Sequence, residues 1–304
     1  MRREDLVFGC GPIGSFAADG EAATGRAALD AALAAGIRRF DVAPSYGDGR
    51  AEELLGEALV DLPRASVKVA TKVGRIAMAN ANPYARPLGR EAPGGGGSFD
   101  FSAAGVRRAL AAGLERLRLD RVDIAFVHDP DVAPEQARDE AVPALAAARA
   151  EGLVGSVGVA TTNPAVALPF VEAGTVDHVM IAAAWTLTRR DAAALLDRCA
   201  AQAVIVHAAG PFDSGLLATP RPDPTSPSGY RVATPAHVET AIALADLCER
   251  HGVTLPQAAI QFPLRHPAVE AVVVGMRSPA EVTADLSLLD PIPEPLWEDL
   301  DLRC

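Results

Sequence analysis

At 304 residues, with 49% apolar and 22% charged side chains, the chain has the composition of a folded globular protein and not of a disordered one. Its 28 Lys and Arg against 39 Asp and Glu give a formal charge of -11, which argues against nucleic acid or an anionic membrane surface as the main partner. The opening MRREDLVFGCG carries two arginines but no apolar run of signal-peptide length, and the uncharged stretch from Gly152 to Val171 is broken by Gly155, Gly158 and Pro164. A cytoplasmic protein without leader or membrane helix is therefore expected. The four cysteines, Cys10, Cys199, Cys248 and Cys304, show no CxxC or Cys/His spacing, so reduced thiols are expected and a metal site is not.

Short β-branched runs alternate with longer segments rich in Ala and Leu. In chain order the pattern predicts strand 6–8, helix 22–35, strand 39–42, helix 50–59, strand 67–71 and helix 103–116. It continues with strand 122–127, helix 134–151, strand 155–159, helix 164–173, strand 178–183 and helix 189–201. Strand 203–206, helix 235–251, strand 271–274 and helix 279–288 complete it. Gly36, Gly152, Gly174 and Gly252 stand where helices should stop, and Ser102 and Thr188 where helices should be capped.

Strands that are each followed by a helix, repeated through residues 1–304, predict a single (β/α)8 TIM barrel domain. A doubly wound sheet is the competitor, but the first strand leads into GCGPIGSFAADG, where a short apolar turn is expected before any helix. Two irregular segments interrupt the alternation. Residues 77–100 hold Pro83, Pro87, Pro93 and the run Gly94 to Gly97, and residues 218–235 hold Pro220, Pro222, Pro224 and Pro227. Both follow strands, so both are expected as long substrate-covering loops at the C-terminal face.

Four polar residues stand at or just beyond the ends of three successive strands. They are Asp41 in RRFDVA, Tyr46 in APSYGDG, Lys72 in VKVATKVG and His128 in DIAFVHDPD. In a barrel these converge on one face. A lysine near a tyrosine favours phenolate, an aspartate can hold the lysine, and a histidine can bind an oxygen or relay a proton. The set suits proton transfer to or from a substrate oxygen.

FDVAPSYGDGRAEELLGEAL, VATKVG and VDIAFVHD, in this order, resemble the signatures of the aldo-keto reductase family, and the likeness runs from VFGCGPIG to VVVGMRSPAEV. The resemblance implies a barrel that binds a nicotinamide cofactor without a Rossmann fold, with Tyr46, Asp41, Lys72 and His128 as the catalytic tetrad. It places Ser214, Gly215 and Leu216 near the cofactor phosphates and Gly275, Met276, Arg277, Ser278, Glu281 and Asp285 around the adenosine end. Where relatives carry an asparagine for the nicotinamide amide this chain reads GVATTN, leaving Thr161, Thr162 or Asn163 in its place, and Asp285 stands where the terminal asparagine is usual.

HDPDVAPEQA, ALAAARAEGLVGSVGVA and HAAGPFDSGLLA resemble the aldose 1-dehydrogenase branch, with its L-fucose, D-threo-aldose and pyridoxal dehydrogenases. That likeness implies oxidation of an aldose at C1 to the lactone, with Asp129, Asp131, Trp185 and Asp213 as candidate substrate contacts. Glu281 opposes a 2′-phosphate and Arg277 favours one, and on balance NAD is expected over NADP. The alternatives are a general NADPH-dependent aldehyde or ketone reductase and a cofactor-binding regulatory barrel without turnover. The expected partner is a small sugar or aldehyde, and the expected assembly a monomer or homodimer.

Overall fold

The computed structural model describes residues 1–15, 21–76, 98–223, 227–228 and 231–301. Eight parallel strands close into a barrel. They are β1 (Leu6–Gly9), β2 (Arg39–Asp41), β3 (Lys68–Val73), β4 (Val122–His128), β5 (Val154–Thr161), β6 (His178–Ala182), β7 (Ile205–Ala209) and β8 (Val269–Gly275). Each pairs with its sequence neighbours, and β8 returns to β1 through Leu6 opposite Val272. The helices are α1 (Glu21–Ala34), α2 (Arg50–Leu59), α3 (Ala103–Leu117), α4 (Val142–Ala150) and α5 (Pro164–Glu172). They continue with α6 (Ala193–Ala201), α7 (Pro235–Arg250), α8 (Leu255–Gln261), α9 (Pro279–Ser287) and α10 (Glu294–Asp301). The expected barrel is the observed one.

Strand parity builds two cores. Outward side chains such as Leu6, Phe8, Phe40, Val69 and Val127 pack under the helices. Inward ones, among them Val7, Ala70, Phe126, Ala160, Met180 and Ala271, fill the barrel, with small residues leaving room for the Phe126 ring. Each fully buried Phe contributes about 1.5–3 kcal/mol of hydrophobic stabilisation. Because side chains alternate, Asp41, Lys72 and His128 share the inward face with Ala70 and Phe126.

Gly36, Gly152, Gly174 and Gly252 end helices with φ between 65° and 87°, as expected. Ser102 caps α3 by accepting from Gly105 N at 3.0 Å. Thr188 does not cap α6, which starts only at Ala193 with Ala192 in the cap position. Thr188 Oγ1 donates instead to Asp213 Oδ2 at 2.9 Å, drawing the preceding turn away from the helix. The expected helix 134–151 widens to a π turn over Ala137–Ala141, where Val142 N bonds Ala137 O. Pro143 offers no N–H to the Asp139 carbonyl and its ring crowds that oxygen, which opens the turn.

The apolar turn expected after β1 is a short helix, Gly11–Ser15. Gly9, Gly11 and Gly14 have the G-x-G-x-x-G spacing, yet the sheet they belong to is a closed barrel. Gly14 serves a close approach: a Cβ there would lie 2.5 Å from Tyr46 O, and one on Gly47 would lie 1.9 Å from Gly14 O. Of the two expected loops, 77–97 and residues 224–226 and 229–230 lie outside the described residues. A two-residue ladder joins Arg75–Ile76 to Ser98–Phe99, and another joins Pro227–Ser228 to Arg231–Val232.

Candidate active site

Asp41 ends β2, Lys72 is the penultimate residue of β3 and His128 ends β4. Lys72 Nζ lies 2.7 Å from both Asp41 carboxylate oxygens and 3.0 Å from Val42 O. Burial pushes the Asp41 carboxyl above its usual range while Lys72 pulls it back. Tyr46 sits on the turn after β2, held by Tyr46 N to Ala43 O at 3.0 Å and by the Gly14–Gly47 contact. Its ring centroid is 4.7 Å from Lys72 Nζ, and the His128 ring meets it edge-on at 6.1 Å. The four residues singled out as a catalytic set are thus assembled in one cluster.

His128 is buried, and desolvation, reinforced by Lys72 and Arg75, lowers its pKa well below the ordinary histidine value. The ring is neutral near pH 7. Asp129 follows with a left-handed backbone, φ 50°, and its Oδ2 accepts from Arg75 Nη1 at 2.7 Å. Arg75 carried no sequence signal, since its partner lies 54 positions away. On the outer face of β3, Thr71 Oγ1 donates to Glu52 Oε1 at 2.7 Å, and Arg116 Nε donates to Glu52 Oε2 at 2.8 Å. This buried network ties α2 and α3 to the strand that carries Lys72.

The remaining candidates fall into three places. In GVATTN, Thr161 is buried and donates to Asp131 Oδ2 at 2.8 Å, Asn163 caps α5 through Ala165 N at 3.1 Å, and Thr162 is exposed. After β7, Asp213 and Ser214 take left-handed backbones, φ 47° and 61°, in a tight turn with Gly215 at 109°. Asp213 and Leu216 are fully buried, so the accessible part of this turn is at Ser214 and Gly215. Trp185 donates from Nε1 to Pro263 O at 3.3 Å, and the Arg190 guanidinium covers Phe262 at 3.9 Å and Trp185 at 5.4 Å.

After β8, Met276 is buried while Gly275 and Arg277 are exposed. Ser278 caps α9 by accepting from Glu281 N at 3.2 Å. Arg277 and Glu281, expected to act in opposite directions on cofactor preference, are bonded to each other: Nε to Oε1 at 2.6 Å and Arg277 N to Oε2 at 2.9 Å. Asp285, one turn on, is pushed up to about 7 by burial and then by the Glu281 charge. Since β7 pairs with β8, the Ser214 turn and the Arg277 segment border the same sector of the mouth. A hydroxyl, an arginine and a helix N-terminus there fit the phosphates of a dinucleotide.

The aldo/keto reductase family profile matches residues 5–297. The chain belongs to the aldo/keto reductase family. A D-threo-aldose 1-dehydrogenase from a Pseudomonas species is 37% identical over 285 residues, covering 90% of this chain and 86% of that protein. A pyridoxal 4-dehydrogenase from Microbacterium luteolum is 30% identical over 318 residues, covering 97% and 92%. A holo-form aldo-keto reductase structure from Bacillus halodurans superposes with a TM-score of 0.77 at 24% identity, covering 98% and 91%, and shares the fold. As an aldo/keto reductase the chain is an oxidoreductase that binds a small-molecule substrate and works with NAD(P)H. No helix among the described residues is long and apolar enough to cross a membrane.

Proposed function

We propose that the protein oxidises an aldose of the L-fucose or D-threo-aldose type at C1 to its lactone, with NAD as the preferred cofactor. The observation that carries the reading is the Asp41–Lys72–Tyr46–His128 cluster, in a chain 37% identical to a D-threo-aldose 1-dehydrogenase. The bound nicotinamide supplies the hydride acceptor. Tyr46 takes the proton of the anomeric hydroxyl; the Lys72 charge beside its ring favours the phenolate, and Asp41 holds Lys72 in place. Neutral His128 donates to the substrate oxygen.

The Ser214 turn and Arg277 take the cofactor phosphates, with Gly275 and Met276 lending backbone and Thr161 or Thr162 facing the nicotinamide amide. Asp285 and Glu281 face the adenosine end, where the carboxylate of Glu281 disfavours a 2′-phosphate. Cys10, Cys199 and Cys248 are free buried thiols, which fits a cytoplasmic location. Pyridoxal is the second candidate substrate, favoured by the 30% identity to a pyridoxal 4-dehydrogenase. The test is NAD+ reduction with L-fucose, D-arabinose, L-galactose, pyridoxal and simple alcohols. The highest kcat/KM belongs to an aldose; a pyridoxal or simple-alcohol optimum overturns the reading.

A further inference from the structure

Among the described residues, one nitrogen of His128 has nothing to bond: Nδ1 is buried with no hydrogen-bond partner. The other nitrogen, Nε2, lies 3.7 Å from Asp129 Oδ2. A neutral imidazole carries a single N–H. With the proton on Nδ1, a donor would be stranded in the core and the Nε2 lone pair would face a carboxylate. With the proton on Nε2, the positive end of the N–H lies near that carboxylate, beyond hydrogen-bond distance, and remains available to a substrate oxygen.

A carboxylate so close also draws a second proton onto the ring, and the structure answers this with a cation. Arg75 Nη1 lies 2.7 Å from the same oxygen, Asp129 Oδ2, so its charge is spent on the carboxylate. Arg75 stands on the two-residue strand paired with Ser98–Phe99, its guanidinium 6.0 Å from the Phe99 ring centroid. Asp129 is anchored through its N–H to Ala160 O at 2.8 Å. Among the described residues, the charged and titratable groups around the ring are Lys72 with Asp41, Arg75 with Asp129, and the Tyr46 phenol. Burial first, and then the Lys72 and Arg75 charges, keep the imidazole neutral, with Arg75 offsetting the pull of the Asp129 carboxylate.

We propose that Asp129 and Arg75 form a positioning pair for His128: the carboxylate selects the tautomer with its proton on Nε2, and the guanidinium cancels the carboxylate's charge. Asp129 then acts through His128 and is not itself a substrate contact. The inference rests on the reading of His128 as the donor to the substrate oxygen, because the Nδ1–H tautomer would present a lone pair where a donor is needed.

The test is 15N NMR of the full chain labelled in its histidines, with His128→Gln identifying the His128 signals among the 6 histidines. The wild-type ring shows the Nε2–H pattern and takes up its second proton only below the ordinary histidine range. Arg75→Gln leaves the carboxylate uncompensated and raises the ring's titration midpoint by about one to three units, moving the acid limb of aldose oxidation with it. Asp129→Asn brings up the Nδ1–H pattern and lowers kcat about tenfold, part of the 10²–10⁴-fold that a proton-handling group supplies. The double variant returns the midpoint toward wild type, which lost packing alone would not do.

A wild-type Nδ1–H pattern overturns the proposal, and so does an unmoved midpoint in folded Arg75→Gln. Should that variant fail to fold, the tautomer in Asp129→Asn decides. Absent aldose turnover with the expected spectra removes the aldose reading and leaves the pair standing, whereas aldose turnover with unmoved spectra removes the pair alone.

Discussion

The Lys72 ammonium and the Asp41 carboxylate face each other from the neighbouring strands β3 and β2, 2.7 Å apart, with side chains only 1% and 3% exposed. Two charges this deep are held by each other and by Val42 O, not by water. Removing one partner strands the other. Lys72→Met should therefore destabilise the fold by about 3–5 kcal/mol, and Lys72→Met with Asp41→Asn should recover most of the loss. Urea unfolding of the two variants checks this; equal midpoints would show that the pair is not coupled.

Lys72→Met also has a kinetic signature. Without the ammonium beside the Tyr46 ring the phenolate is harder to form, so the alkaline limb of the oxidation profile moves to higher pH. The pH dependence of kcat/KM in the folded variant is the readout.

Tyr46→Phe keeps the ring that packs against Lys72 and His128 and removes the oxygen proposed to exchange the proton. Turnover should fall by roughly 10²–10⁴-fold while cofactor affinity and melting temperature stay close to wild type. Near-normal turnover would dismiss Tyr46 as the proton acceptor.

The Arg277–Glu281 pair makes a prediction about cofactor choice. On the proposed reading Glu281 disfavours a 2′-phosphate, and its carboxylate also accepts from the Arg277 backbone and guanidinium. Glu281→Ala removes this carboxylate and its two bonds to Arg277, so the proposed kcat/KM advantage of NAD+ over NADP+ should narrow by about tenfold, the equivalent of one charge-assisted hydrogen bond. The measurement is kcat/KM for both cofactors with one sugar. A gap that does not narrow would place the adenosine end elsewhere.

Inside the barrel, His178 Nδ1 and His207 Nε2 lie 3.1 Å apart, and both rings are buried. Desolvation lowers both pKa values, for His207 well below the ordinary one. In the unfolded chain both rings take up protons as pH falls through about 6.5, while the folded rings stay neutral. Unfolding then absorbs protons, so stability is complete above that pH and declines below it, by up to about 1.4 kcal/mol per pH unit for each ring. Urea midpoints at about pH 7.5 and 5.5 measure the decline, and His207→Gln should flatten it.

Much of this was legible along the chain. The β-branched runs and the helical runs between them fix their own backbone through local sterics and burial. Their alternation calls for a parallel sheet wrapped by helices, which closure of the first and last strands makes a barrel. Strand parity is equally local, so Asp41, Lys72 and His128 point inward wherever their strands close. Helix stops at Gly36 and Gly152 follow from one residue's φ preference.

What only the tertiary structure decided is which distant groups meet. Arg75 reaches Asp129 across 54 positions, Thr188 is taken from its cap by Asp213, Glu52 collects Thr71 and Arg116, and His178 finds His207. Sequence states the charge of each of these groups but not its neighbour, because the neighbour is set by strand register and by closure of β8 onto β1. The same holds for Arg277 and Glu281: their spacing on the chain shows two opposed charges, and only the folded chain shows the hydrogen bonds that join them. Electrostatic effect depends on distance and burial, and both belong to the folded chain.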